Sequence, residues 1–360
     1  RFKKHAIRIL DNFIDWNISR QIVWGIRIPA WKCDSCAKKG KSTWVVTEGK
    51  TPVGSCKECG GFRFEQDTDT FDTWFSSSQW PFATLQTIDN EPASPASGVA
   101  SPARLADDAL AERAGGIRTQ NSKPTHFNYF YPTSVMETGY DILPAWVARM
   151  IMMGYFATNT PPFTTVFLHG MVRDKKGQKM SKSKGNVINP LEMIDKYGAD
   201  ALRAALIFGT AEGNDTALSE EKITGMRNFA NKVWNIGRFI SMNRGERGEG
   251  KGERGKTSIL NTLKKEFEKE KKEYIKYMNS YRFSLALGLI YEFLWHRYAD
   301  YYIEQLKEEL KDGTIEVLQL LETVYCENLK MLHPFMPYVT EAVWKVFYGE
   351  KHSILEERLK

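Results

Sequence analysis

Four cysteines impose the tightest constraint on how this 360-residue chain can fold. They fall as Cys33-Asp-Ser-Cys36 and Cys56-Lys-Glu-Cys59, two short hooks with nineteen residues between them, and Gly60-Gly61 follows the second hook. Thiolate pairs at that separation match a tetrahedral four-sulfur zinc site, and glycine supplies the tight turn of such a knuckle. Four sulfurs leave no position for water, so the metal expected here is a structural Zn2+ and not a catalytic one. A disulfide pair or free thiols are the competing readings, disulfides belonging to oxidising compartments. The fifth cysteine, Cys326, lies in an apolar helical run, where a thiol behaves as a small core residue.

The chain changes character along its length. Strand signals end near Leu218, and from there the pattern is helical: Ser219 reads as an N-cap before Glu220-Glu221, and apolar residues then recur three and four apart. The spacing predicts further helices over Ser258 to Met278 and Ser284 to Leu306, and two more within Thr314 to Tyr348, with lysine and glutamate on the outer faces. Upstream, Asp69 to Phe82 reads as a helix start with aromatic packing. The stretch from Thr87 to Thr125 is rich in Pro, Ala, Ser and Gly and cannot bury enough surface to offset its ordering entropy, so a flexible surface insertion is expected there.

A loop from Gly177 to Gly185 carries the chemistry. It reads Gly-Gln-Lys-Met-Ser-Lys-Ser-Lys-Gly, so Lys179, Lys182 and Lys184 and the hydroxyls of Ser181 and Ser183 sit between glycines. Lysine is a mobile point charge, and such a loop can hold polyphosphate and stabilise the charge that a phosphoryl group gains in a transition state. A solvated basic turn is the bland alternative. The loop follows an apolar run, Thr165 to Leu168, that ends in His169-Gly170, and precedes a helical segment from Pro190 through Phe208. A phosphate-seeking loop after the carboxyl end of a buried strand is where open α/β sheets bind nucleotides. Gly250 to Thr257 also satisfies P-loop spacing, but a polar glycine run precedes it in place of a strand, which makes it a connecting loop. Near the middle, Asp141 can cap the helix after it, Pro144 is tolerated in that helix's first turn, and Ile142 and Trp146 lie four apart on one face.

Composition adds bounds. At 42% hydrophobic and 12% aromatic the chain can bury a core and has room for two or three domains. A net charge of +6, from fifty basic and forty-four acidic residues, permits a polyanionic partner without demanding one. No run approaches the roughly twenty apolar residues of a membrane span and no signal peptide opens the chain, so no membrane partner is expected and a cytoplasmic protein is the default.

Lys179-Met180-Ser181-Lys182-Ser183 resembles the second signature of the class I aminoacyl-tRNA synthetases. The flanks His169-Gly170-Met171-Val172-Arg173-Asp174 and Gly185-Asn186-Val187-Ile188-Asn189-Pro190 are similar to the valyl branch, as are Trp74-Phe75-Ser76-Ser77 and Asp141-Ile142-Leu143-Pro144-Ala145-Trp146. Asp15 to Trp31 resembles the segment by which the valine, isoleucine and leucine group re-enters the catalytic domain after its inserted editing domain.

The resemblance implies an α/β, Rossmann-like class I catalytic domain, of which this chain holds the second half in residues 1–32 and 63–218. It implies a zinc ribbon inserted at 33–62 and an all-α anticodon-binding bundle over 219–360. It implies valine activation by ATP with Mg2+, then transfer to tRNA(Val). Lys179 and Lys182 would neutralise phosphates, with Ser181 and Ser183 beside them. His169, Gly170 and the Met180 backbone would sit near adenine, Gly139 and Asp141 at the nucleotide, the aspartate meeting the ribose. Trp74, Ile142 and Trp146 would line the amino-acid pocket. Arg227, Asn231, Lys232 and Arg238 would face tRNA, a plain surface face being their other reading. The editing domain and the histidine-bearing first signature have no counterpart here, so the chain reads as an internal fragment, inactive alone. An isoleucyl or leucyl enzyme, or a non-catalytic tRNA-binding module, are the alternatives.

Overall fold

The computed structural model describes residues 2–48, 51–90, 125–180, 185–244, 257–312 and 314–359. The chain forms two compact units, Arg1–Phe167 and Leu168–Lys360. The expected insertion falls mostly outside the described residues, as do the P-loop look-alike up to residue 256 and residues 181–184 of the lysine-serine loop. At the edges of the insertion the chain is more regular than its composition suggests. A helix Trp80–Asn90 runs into its start, and Thr125 at its end caps the short helix His126–Phe130 by accepting the Asn128 amide.

The first unit is built from small pieces. A three-stranded antiparallel sheet has Ala30–Cys33 at its centre, flanked by Trp44–Val46 and Phe64–Gln66. Ser19–Arg20 pairs with Thr70–Phe71, and Thr133–Gly139 pairs with Phe163–His169. That last strand matches the expected apolar run, but it is only partly buried, Thr165, Val166 and Phe167 being half-buried, and among the described residues it has a single partner strand.

Asp141 is not a helix cap. It lies inside a 3₁₀ turn, Tyr140–Ile142, followed by a wider π-type turn, Leu143–Val147, before the α-helix Ala148–Thr158 begins. Pro144 has no N–H to give to the Tyr140 carbonyl, so an α-helix cannot close there. The one-face argument for Ile142 and Trp146 fails with it, since it assumes α-helical spacing; both side chains are half-buried.

The second unit opens with a two-residue parallel pairing, Val172–Arg173 with Thr216–Ala217, and is otherwise helical. The helix expected from Pro190 to Phe208 is two helices, Pro190–Tyr197 and Ala199–Ile207, because Gly198 turns the chain at φ +88°, a conformation other residues rarely adopt. Long helices follow at Glu220–Met242, Thr257–Asn279, Phe283–Glu292 continuing as a π-type stretch to Ile303, Ile315–Leu332 and Pro337–Tyr348. Ser219 caps the first, accepting from the Lys222 amide at 3.3 Å.

One apolar core joins these helices, from Met193 through Phe229, Leu263, Leu294 and Leu329 to Phe347. Cys326 is part of it, 5% exposed. Gly237 lets two helices touch, since a Cβ there would come within 2.5 Å of Val343. Buried Asp200 accepts the amides of Tyr338 and Val339 at 3.1 and 2.6 Å and so caps the Pro337–Tyr348 helix from another element. Glu270 is the exception in this core. It is 5% exposed, neither carboxyl oxygen has a hydrogen-bond partner among the described residues, and burial pushes its pKa up to about 9, so it is neutral at pH 7.

Candidate functional site

In the second unit the chemistry-bearing loop hangs from a hairpin. Strand Val172–Arg173 leads into a turn at Asp174, and the chain returns through a bridge between Arg173 and Lys179. Asp174 is the hub. Its Oδ1 accepts the amides of Lys176 and Gln178 at 3.0 and 2.8 Å, and its Oδ2 accepts Asn186 Nδ2 at 2.8 Å. Asn186 also donates to the Lys179 carbonyl at 3.3 Å, so the two sides of the loop are tied where it begins and ends. These bonds, that from Asn186 first, hold the Asp174 carboxyl below its ordinary range and keep it an acceptor at neutral pH. Gly177, at φ +75°, makes the turn.

Lys179 is exposed and Met180 is half-buried against the helical core, so the loop is anchored by its methionine while its first lysine faces solvent. Ser181, Lys182 and Ser183 lie outside the described residues. His169 is exposed, its Nδ1 2.8 Å from the Gly170 carbonyl oxygen. Gly170 is held by contact: a Cβ there would lie 1.8 Å from the Asn214 carbonyl oxygen. The crossing is fixed by Asp215, which accepts the Met171 amide at 2.8 Å and pairs with Arg173.

The first unit gathers the aromatic candidates. Trp74 opens the helix Thr73–Ser78, whose N-cap is Asp72, 6% exposed. Asp72 Oδ1 accepts the Trp74 amide at 3.2 Å, while Oδ2 accepts the Trp16 indole N–H at 2.9 Å and the Arg20 guanidinium. Trp146 donates its indole N–H to the Ser77 carbonyl at 3.3 Å, at the other end of the same short helix. Arg149 lies 4.1 Å over the Trp16 ring and donates to the Pro144 and Ala145 carbonyls at 3.0 Å. Burial lowers the Arg149 pKa, and nearby Asp72 counters this. Gly139 is buried at the end of its strand, Ile142 half-buried, and Asp141 exposed. None of Asp72, Trp16, Arg20 or Arg149 stands out from sequence spacing, because the contacts that unite them join distant positions: Arg20 and Asp72 are 52 residues apart, Trp16 and Asp72 are 56 apart, and Arg149 reaches back to Trp16.

The four cysteines converge. Cys33, Cys36 and Cys56 are buried, Cys59 is half-buried, and all four Sγ atoms lie within 4.8 Å of one another. Sγ separations of 3.5 Å (Cys33 to Cys59) and 3.8 Å (Cys36 to Cys56) lie close to the roughly 3.8 Å between sulfurs on a tetrahedral zinc ion. Gly60, at φ +73°, donates its amide to the Cys56 carbonyl at 2.8 Å and shapes the second knuckle. Backbone amides, that of Glu58 first, lower the Cys56 thiol to about 7, whereas Cys59, against the pull of the Gly61 amide, is pushed up to about 12 by neighbouring thiols and burial, so binding a metal here would release protons. The donor set fits a closed four-sulfur zinc site, and these residues could hold the ion.

On the Glu220–Met242 helix, Arg227, Asn231 and Arg238 are exposed and share one face by their spacing. Lys232 faces elsewhere, bonded to Asp300 at 2.7 Å and lying over the Trp295 ring.

Comparison with known proteins places this arrangement. The family model "tRNA synthetases class I (I, L, M and V)" matches residues 1–100 and 114–219, and "Anticodon-binding domain of tRNA ligase" matches 261–360. The chain belongs to the class I tRNA synthetases of that group: a catalytic-domain portion followed by a helical anticodon-binding domain. Within the group it is similar to valine--tRNA ligases. It is 39% identical over 345 residues to that of Dehalococcoides mccartyi strain 195, covering 96% of this chain and 34% of the relative. It is 40% identical over 349 residues to that of Geobacter sulfurreducens, covering 95% and 35%, and 41% identical over 360 residues to that of Nitratidesulfovibrio vulgaris, covering 97% and 36%. The chain thus spans about a third of the length of the curated relatives it matches. Among solved structures it shares the fold of the LeuRS of Agrobacterium radiobacter K84, crystallised as a ternary LeuRS-tRNA-LeuAMS complex. The TM-score is 0.68 at 18% identity, covering 99% of this chain and 44% of that one. Among the described residues no helix is long and apolar enough to cross a membrane.

Proposed function

We propose that this chain is the segment of a valine--tRNA ligase that holds the second half of a Rossmann-like catalytic domain (1–32 and 63–218), its zinc ribbon (33–62) and much of its anticodon-binding bundle (219–360). The reaction is attack of the valine carboxylate on the α-phosphorus of ATP to give valyl-adenylate and pyrophosphate, followed by transfer to the terminal ribose of tRNA(Val). The identity of about 40% to valine--tRNA ligases across nearly the whole chain carries this reading.

In this scheme Lys179 and Lys182 neutralise the phosphates as they separate, with Ser181 and Ser183 as neutral donors. The brace from Asp174 to Asn186 sets the spacing of the loop's two ends. His169, Gly170 and the Met180 backbone contact adenine, and Gly139 and Asp141 take the ribose side. Trp74, Ile142 and Trp146 line a pocket sized for a branched side chain, in which one methylene is worth about 1–3 kcal/mol. Mg2+ accompanies ATP. The ion held by Cys33, Cys36, Cys56 and Cys59 is structural Zn2+, which keeps the ribbon folded. Arg227, Asn231 and Arg238 face tRNA phosphates, and Lys232 supports that helix through Asp300. A cytoplasmic setting follows from this role.

The test is amino-acid-dependent ATP–pyrophosphate exchange by the full-length gene product that contains this chain. Valine should exceed isoleucine and leucine by at least about tenfold in kcat/KM; equal or greater exchange with isoleucine or leucine contradicts the reading.

A further inference from the structure

The proposed amino-acid pocket draws its two tryptophans from separate elements, Trp74 at the head of the Thr73–Ser78 helix and Trp146 in the Leu143–Val147 turn. One compact cluster grips both. Asp72 fixes the head of the helix through the Trp74 amide, and its other oxygen binds Trp16 and Arg20. Arg149 lies over two rings of that assembly, 4.1 Å from the Trp16 centroid and 5.4 Å from that of Phe13. Its Nη1 holds the Pro144 and Ala145 carbonyls, the backbone immediately before Trp146. The Trp146 indole closes the ring on Ser77.

Arg149 Nε is buried without a hydrogen-bond partner among the described residues, so the side chain is placed by the stack and the two carbonyls, at the cost of one unpaired donor. A group kept in that position at such a cost is positioned for geometry more than for stability. An aliphatic side chain in an apolar pocket is recognised by wall-to-wall distance, and shifts well under 1 Å are felt.

We infer that Asp72, Trp16 and Arg149 are positioning residues that set the separation of Trp74 and Trp146, and thereby the enzyme's selectivity for its amino acid. This inference rests on the pocket assignment above. None of the three needs to touch the substrate. Asp72 and Arg149 act through the backbone of the elements that carry the tryptophans, and Trp16 acts by joining the carboxylate to the guanidinium.

The experiment uses the full-length gene product and pyrophosphate exchange with valine, threonine and isoleucine, comparing wild type with Asp72→Asn, Trp16→Phe and Arg149→Lys. Asparagine still caps the helix and phenylalanine keeps a ring under Arg149, so these two conservative variants should fold even if Arg149→Lys does not. In folded variants KM for valine should rise roughly tenfold for Asp72→Asn and about threefold for Trp16→Phe, with KM for ATP within about twofold of wild type. The preference for valine over threonine and isoleucine should fall with it. Unchanged KM and selectivity in Asp72→Asn and Trp16→Phe overturn the inference, as does a parallel rise in both KM values, which marks a merely structural role. If wild type itself shows no valine-dependent exchange, the pocket assignment has failed, and this inference with it.

Discussion

The two units of this chain are held together by different physics. In the helical unit, buried side chains from Met193 to Ile354 form one apolar core, and several tyrosine hydroxyls that enter it donate to backbone, as Tyr274 does to the Met331 carbonyl at 2.8 Å. The first unit also buries apolar residues such as Leu143, Val147 and Met150, but it adds polar and sulfur-based fixed points: the Asp72 carboxylate and the four-cysteine cluster. Val23 and Trp24 there are 104% and 90% exposed. An apolar core spreads its stabilisation over many contacts, each individually small. A polar hub concentrates it in a few directional bonds that also fix distances. The arrangement suits the proposed division of labour, in which one unit measures a small side chain and the other supports a long helical surface.

The comparison breaks most visibly at the ribbon. Chelating zinc, or replacing Cys36 by serine, should unfold residues 30–66 and remove metal-linked folding free energy on the order of 10 kcal/mol, while the helical unit stays folded. Hydrogen exchange would show this, and retained protection of Ala30–Cys33 after chelation would count against it. In the helical unit, Phe229→Ala should cost about 3–5 kcal/mol through the cavity it leaves, read from the urea midpoint; a loss below about 1 kcal/mol would mean the core is not packed as described.

Glu270 tests whether that core obeys the same rule for charge. Its folded pKa of about 9 lies above the ordinary 4.5. The stability that goes with its buried proton is therefore fully present below pH 4.5 and is lost as pH rises toward 9. Between pH 5 and pH 7 wild type should lose about 3 kcal/mol from this group. Glu270→Gln should flatten that slope, and an unchanged slope would place the titration elsewhere. The smallest effect belongs to the exposed helix face. Arg227→Ala and Arg238→Ala should each lower the salt dependence of tRNA binding by about one unit of slope, whereas Lys232→Ala should change the slope less, being paired with Asp300. Equal effects from all three would erase the distinction between face and support.

Sequence spacing reached the features that are local. Cysteine hooks, the serine cap at 219 and helical periodicity depend on residues a few positions apart, and each has a counterpart in the structure. It failed where a single residue redirects the backbone. Gly198 splits a helix that periodicity reads as continuous, and Pro144 turns an expected helix start into two tighter and wider turns, removing Asp141 from the cap. It could not reach contacts between distant positions. The clash that reserves Gly170 for glycine comes from Asn214, and Arg20 and Asp72 meet across 52 residues. Asn186 lay in plain view beside the lysine-serine loop, but its partner Asp174 is twelve residues away and only the hairpin brings them together.

The central claim, that this chain is part of an enzyme that joins valine to its tRNA, is tested most directly by charging unfractionated tRNA with the full-length gene product and each amino acid in turn, then sequencing the charged species. Valine should be attached and tRNA(Val) should carry it; charging of a tRNA that belongs to another amino acid, or charging with isoleucine or leucine in preference to valine, would contradict this.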